Sequence, residues 1–369
     1  MKTKLLLISP ALLMFFFAAV VLPKPNDRLD VTAHEWGTFT SVAGEDGMPV
    51  PWFSYTGPLD LPCFVYNFGG SKILIRGAVR METPVLYFYG SRESSVNVKV
   101  SFPQGTITEW YPQASPQRRS NNLIQWQDVK ISPEVTPDFP TERGASHYYA
   151  ARETDAAALQ VKSEREKFLF YRGIGTFPLP VSARFEQDGK LVVRNVGGTP
   201  VDGLIVFDNH AGARRYAVAG TVKDEVTVDF GSLQDNWAGL LMDLERVLIS
   251  QGLYEKEARA MIETWRDSWF EEGTRLFYIV PRQAVDSILP LDIQPAPSDV
   301  ARVFVGRMEI ITPAIQRDFR QAVAVNDRPA LEKYGRFLDA IAKRAGIRSP
   351  VIDSVNAAYI NKTIANCGR

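Results

Sequence analysis

Alternation of apolar and polar positions dominates the first two-thirds of the chain. In "VNVKVSF" Val96, Val98, Val100 and Phe102 share one face of an extended segment while Asn97, Lys99 and Ser101 share the other. That period of two belongs to a half-buried strand. "VSARFEQDGKLVVRNV" repeats it as a hairpin: Val181, Ala183 and Phe185 face inward, Asp188-Gly189 supplies the tight turn, and Leu191 and Val193 return. "KILIRGAVRMETPVLYFYG", "TITEWYP", "LIQWQDVKIS", "KFLFYRG", "GLIVFDN", "RRYAVAG" and "EVTVDFG" are further strand segments. Few helical stretches separate them, so residues 31–230 are predicted to form antiparallel sheets packed as a β-sandwich. Gly-Thr pairs at 37, 105, 175, 198, 220 and 273 read as strand starts, because glycine takes the positive φ of a turn and threonine suits the first strand position.

After Gly231 the period lengthens. Trp237, Leu240, Leu241, Leu244, Val247 and Leu248 fall on one helical face, with Gly252 placed to end the helix. Ala258, Met261, Ile262, Trp265 and Trp269 repeat the device before Gly273, so the two segments predict a helical hairpin. "TRLFYIVP" reads as a strand, "ARVFVGRMEII" as a strand or a buried helix, and helices are expected over 314–325, 329–345 and 351–365. The fold class is therefore mainly β with an α-rich C-terminal part, residues 231–369.

The first 22 residues follow neither pattern. Lys2 and Lys4 precede an apolar run from Leu5 to Leu22 broken only by Ser9 and Pro10, the arrangement of an export signal. The run is just long enough to cross a bilayer and lacks a good small-residue cleavage site, so it reads as a signal peptide or as a retained membrane anchor with residues 23–30 as tether. Either way the body is expected outside the cytoplasm, periplasmic and tethered to the inner membrane, or secreted if the signal is removed. An oxidising compartment permits Cys63 and Cys367, the two cysteines of the chain, to pair; the alternative is one buried thiol and one on the tail. Lysine and arginine total 42, as do aspartate and glutamate, which leaves no excess field to hold a phosphate backbone. Nucleic acid is not an expected partner.

Candidate chemistry is sparse. "HEWGTFT" places His34 beside Glu35, but the residue four after His34 is Thr38, so the His-Glu-x-x-His zinc motif is absent. In a strand, His34 and Glu35 point to opposite faces and cannot chelate together. His34 and His147 remain possible single metal ligands. In strand register His147, Tyr149, Ala151 and Glu153 of "SHYYAARETDA" line one face. His210 follows Asp208 in "FDNHAGARR", which reads as a hairpin loop. Were His34, His147, Glu153, Asp208 and His210 to converge, they would suit general acid–base or metal-assisted hydrolysis. Trp52, Tyr55, Trp110 and Tyr149 stand in or beside Pro-rich loops and are candidate stacking platforms for a ligand. No hydrolase elbow, phosphate loop or complete dinucleotide fingerprint is present, and no cofactor follows from the sequence.

The segments "AHEWGTFTSVAGEDG", "RMETPVLYFYG", "SFPQGTITEWYPQA", "SHYYAARETDA", "EKFLFYRGIGTF" and "LPLDIQPAPSDVARVFVGRMEIITP" together resemble a family of uncharacterised exported bacterial proteins. The resemblance implies a bacterial envelope protein and carries no activity. The expected function is a binding or scaffold module of the cell envelope that recognises glycan or protein through its loop ends; the alternative is an envelope hydrolase.

Overall fold

The computed structural model describes residues 29–52, 61–67, 77–116, 121–142, 146–186 and 189–363. Its centre is β1 (Leu29–Gly44), sixteen residues buried on both faces. A nine-stranded sheet is built around it in the order β14 (Ala213–Val222), β13 (Val201–His210), β16 (Gly273–Val280), β18 (Pro297–Ile311), β1, β3 (Val79–Gly90), β10 (Leu169–Gly175), β5 (Gly105–Tyr111) and β2 (Tyr66–Asn67). Neighbours are antiparallel except β1 and β18, which run parallel from Leu29↔Pro297 to Gly44↔Ile311.

Two smaller sheets cover one face. One holds β4 (Ser94–Ser101), β6 (Ser115–Pro116), β7 (Leu123–Ser132), β8 (Ala158–Val161), β9 (Glu164–Glu166) and β17 (Leu291–Gln294), and the other β11 (Val181–Phe185), β12 (Lys190–Asn195) and β15 (Glu225–Asp229). Val98 and Val100 of β4, Leu191 and Val193 of β12, and Ala33, Phe39, Phe88 and Tyr278 of the main sheet join in one apolar core between them, the interior of the predicted sandwich.

Helices cover the other face. α1 (Trp237–Ser250) and α2 (Glu255–Trp269) form the predicted hairpin, and Leu244, Met261, Trp265 and Trp269 pack on Trp36, Tyr87, Phe277 and Val305 of the sheet. α4 (Pro313–Ala324), α5 (Arg328–Glu332), α6 (Leu338–Ala345) and α7 (Pro350–Thr363) pack around Val42, Trp52 and Ile311 as a separate cluster. The short α3 (Arg282–Ile288) joins β16 to β17. Among the described residues no helix is long and apolar enough to cross a membrane; the apolar run of residues 5–22 lies outside them.

Three sequence expectations change. The boundary at residue 230 falls inside one sheet, because β16 and β18 follow the helical hairpin and insert between β13 and β1; the last third supplies central strands as well as helices. "HYYAAR" is a 3-10 helix over His147–Arg152, with the Ser146 hydroxyl accepting from the Tyr148 amide, so the strand register assumed for His147, Tyr149 and Glu153 does not exist. Of the Gly-Thr pairs, Gly105 and Gly273 begin strands, whereas Gly37 and Gly220 lie inside them, Gly175 ends one, and Gly198 sits in a loop. The β18 segment resolves the strand-or-helix ambiguity as strand, its apolar run explained by burial on both faces.

Candidate functional site

The three histidines are held in three places, each by its own carboxylate. His34 Nδ1 lies 2.8 Å from Glu257 Oε2 on α2, between the rings of Tyr89 and Tyr254 at 5.2 and 4.4 Å. Glu35 faces the other way, as strand alternation requires, where it accepts from Arg302 Nε at 2.6 Å and from the Tyr171 hydroxyl at 2.5 Å. His147 Nε2 meets Asp267 Oδ2 at 2.7 Å, and His210 Nε2 meets Asp318 Oδ2 at 3.0 Å. Glu257 and Asp267 are ten residues apart on or just within α2, which separates the seats of His34 and His147 by roughly 15 Å along the helix axis. His210 ends β13 at its hairpin and pairs with α4. Among the described residues no three His, Cys, Asp or Glu side chains are grouped to hold a metal. His34 and His147 therefore sit at separate seats along α2, and helix spacing keeps them from serving one metal together.

The remaining candidates have structural partners. Asp208 is buried, accepts from the Thr274 hydroxyl at 2.7 Å and pairs with Arg215 at 2.9 Å. Glu153 is exposed at the end of the 3-10 helix. Trp52 is buried, donates from Nε1 to the Ala78 carbonyl at 3.0 Å and packs on Phe337. Trp110 is buried against Tyr66. Tyr149 lies under the Arg152 guanidinium, and its hydroxyl accepts from the Glu142 amide. Tyr55 and Cys367 lie outside the described residues. Cys63 is disulfide-bonded.

What the sequence reading missed is a belt of buried charge on the helix-facing side of the main sheet. It runs across six adjacent strands: Arg275 on β16, Arg307 and Glu309 on β18, Thr38 and Thr40 on β1, Arg80 and Glu82 on β3, Arg172 on β10 and Glu109 on β5. Register brings Arg275 beside Glu309, Thr40 between Arg307 and Arg80, Thr38 beside Glu82, and Arg172 beside Glu109. An irregularity in β3 at Thr83, whose φ is +46°, turns Arg80 and Glu82 to the helix side, although Val79 and Met81 pack into the opposite core. Arg336, from the turn between α5 and α6, reaches down to pair with Glu82 and Glu271, its guanidinium against the Phe337 and Trp52 rings.

The belt is electrostatically taut. Burial alone would raise the Glu82 carboxyl, yet Arg336, Arg80, Arg307 and Arg172 hold it down to about 2. Burial and the neighbouring Arg172 lower Arg80 to about 10, and burial with Arg336 and Arg275 does the same to Arg307. In Arg336, burial is overcome by Glu82 and Glu271, which raise it above its ordinary value.

Between the belt and α2 lies a cavity of about 190 Å³ lined by Arg80, Glu82, Arg172, Arg336, Thr264, Trp265, Ser268 and Glu271, with His147 and Asp267 beside them. Arg172 is only 4% exposed. Its Nη2 reaches the Thr83 hydroxyl at a long 3.5 Å, and Nε and Nη1 have no partner among the described residues. Arg336 Nη2, Thr264 Oγ1, Ser268 Oγ and Trp265 Nε1 also lack partners among them. A buried polar group left unsatisfied costs about 1–3 kcal/mol. Several converging on one cavity make it a place where an acceptor-rich guest would be held.

No protein-family model matches the chain and no curated protein is similar to it in sequence. Among solved structures, the yeast delta-COP-I mu-homology domain is similar over 76% of this chain and 97% of that one, at 8% identity and a TM-score of 0.31. A superposition that loose carries no argument about topology or function.

The cavity lining offers guanidinium, hydroxyl and indole donors, with Glu82 already engaged by Arg80 at 3.3 Å, by Arg336 and by the Thr40 hydroxyl at 2.9 Å. His147, the titratable base nearest it, is 39% exposed and held by Asp267. The 3-10 helix that carries His147 is fastened from below, where Arg152 grips the buried Glu166 at 2.6 and 2.9 Å.

Proposed function

We propose that this protein is an exported binding module of the bacterial cell envelope, which holds a small anionic ligand in the arginine-lined cavity between the main sheet and α2. The observation that carries the reading is Arg172: a buried guanidinium with two nitrogens unpartnered among the described residues, lining a cavity with further unpartnered donors. Charge-assisted hydrogen bonds to such donors are worth about 1.5–3 kcal/mol each, enough for a few of them to hold a small anion. Export is supported by the leader of residues 1–22 and by the disulfide at Cys63.

Binding is favoured over hydrolysis because the histidines are engaged separately, and the cavity lining contains no nucleophile paired to a base. Recognition through loop ends loses support, since Trp52 and Trp110 are core residues. The experiment is a thermal-shift and calorimetric screen of the purified protein against small anions, repeated with Arg172→Met. Saturable binding that Arg172→Met abolishes, with folding intact, is expected. Turnover of a substrate that is lost on His147→Ala would sink the reading in favour of the hydrolase.

A further inference from the structure

The charge count of the belt limits which anion fits. Five buried arginines, Arg80, Arg172, Arg275, Arg307 and Arg336, face four glutamates, Glu82, Glu109, Glu271 and Glu309. Among the described residues the belt keeps one positive charge in excess. At the cavity wall the tally is the same: Arg80, Arg172 and Arg336 against Glu82 and Glu271. Asp267 is 74% exposed and His147 is 39% exposed, so solvent screens both from the interior. A guest bearing one negative charge leaves the interior neutral. A dianion would bury a second, uncompensated charge, which low-dielectric surroundings oppose strongly.

Size and lining narrow the class. At about 190 Å³ the cavity falls below the usual range for drug-sized ligands, a size that suits a small organic acid and not a polymer chain. Two kinds of wall meet there: the guanidinium groups of Arg80 and Arg172 from the sheet with that of Arg336 from the turn between α5 and α6, and Trp265 with the Thr264 and Ser268 hydroxyls on α2. The first suits a carboxylate. The second suits a short carbon skeleton carrying a hydrogen-bonding substituent, because the hydroxyls both donate and accept.

Resting on the binding reading above, we infer that the ligand is a small hydroxylated monocarboxylic acid, its carboxylate on Arg172 and Arg336 and its substituent on Ser268 and Thr264. The interior-facing guanidinium of Arg172 sets the charge, and the α2 hydroxyls set the preference for a substituted chain.

The test uses four probes on the purified full chain by titration calorimetry: lactate, propionate, sulfate and neutral propane-1,2-diol. Lactate is expected to bind best. Propionate should be weaker by about tenfold through loss of one hydrogen-bonded substituent, and sulfate and the diol weaker still. Arg172→Met should abolish lactate and propionate binding alike, whereas Ser268→Ala should erase the lactate preference and leave propionate unchanged. Sulfate binding tighter than both acids, and lost in Arg172→Met, would overturn this inference while leaving an anion site standing. Lactate binding untouched by Arg172→Met would overturn it by placing the site elsewhere. No binding of any of the three anions, in a protein whose thermal unfolding matches that of an intact fold, would overturn both readings.

Discussion

Arg275 and Arg172 sit on the same face of the same sheet, both buried, and are treated in opposite ways. Arg275 spends all five of its N–H donors: Nε and Nη2 on Glu309, Nη1 on the carbonyls of Trp269 and Glu271, and Nη2 also on that of Glu272. In doing so it caps the C-terminal end of α2, where free carbonyls and the helix dipole favour a cation. Arg172 has one long contact to Thr83 and two unpartnered edges. A buried charge is tolerated when its donors are matched and is a liability when they are not. The belt therefore has a structural end that locks α2 to the sheet, and an unsatisfied end whose donors the proposed ligand would partner.

Breaking the structural end should have the largest effect. Arg275→Met strands the Glu309 carboxylate and uncaps α2, and is expected to lower the unfolding free energy by about 3–5 kcal/mol in urea melts. If it proves neutral, the distinction between the two ends is wrong. Acid sharpens the middle of the belt. Glu82 is held near 2 against an ordinary value of 4.5; because the folded value is the lower, its stabilisation is complete above about 4.5 and disappears as pH falls towards 2. The loss is on the order of 3 kcal/mol, and Glu82→Gln should remove that part of the acid dependence. Arg172→Met is the smallest change for the free protein: removal of an under-partnered buried charge in favour of a similar apolar volume should leave stability within about 1 kcal/mol of the parent or raise it. A loss as large as that of Arg275→Met would show that Arg172 is a structural group after all.

Much of the architecture was legible in the chain. The period-two segments became β4, β11 and β12, and the change of period after Gly231 became the α1–α2 hairpin capped near Gly252, whose φ is +106°. The opposite orientation of His34 and Glu35 followed from alternation alone. What escaped was long-range. Nothing local in "ARVFVGRMEII" tells it to lie beside β1, and nothing in "SHYYAARETDA" outweighs aromatic β-propensity except the Ser146 cap. The cavity was missed because its members come from separate elements: Arg80 and Glu82 in "RMETP", Arg172 in "FLFYRGIG", and Arg336 in "YGRF". A signal was present nonetheless. Arginine and glutamate stand in otherwise apolar strands, at positions where alternation asks for an inward side chain, and that violation of pattern marks buried polar networks.

The parallel pairing of β1 with β18 also governs how the chain acquires its shape. The Glu35–Arg302 bond spans 267 residues, and β1 lies at the middle of the main sheet with β18 as one of its two neighbours. Until residues 297–311 are present, one long side of the central strand has no hydrogen-bond partner, an open edge that would template misassociation. Contacts this distant in sequence make formation of the sheet slow. A chain that emerges from its N-terminus therefore cannot complete the middle of this sheet until more than three-quarters of its 369 residues have appeared.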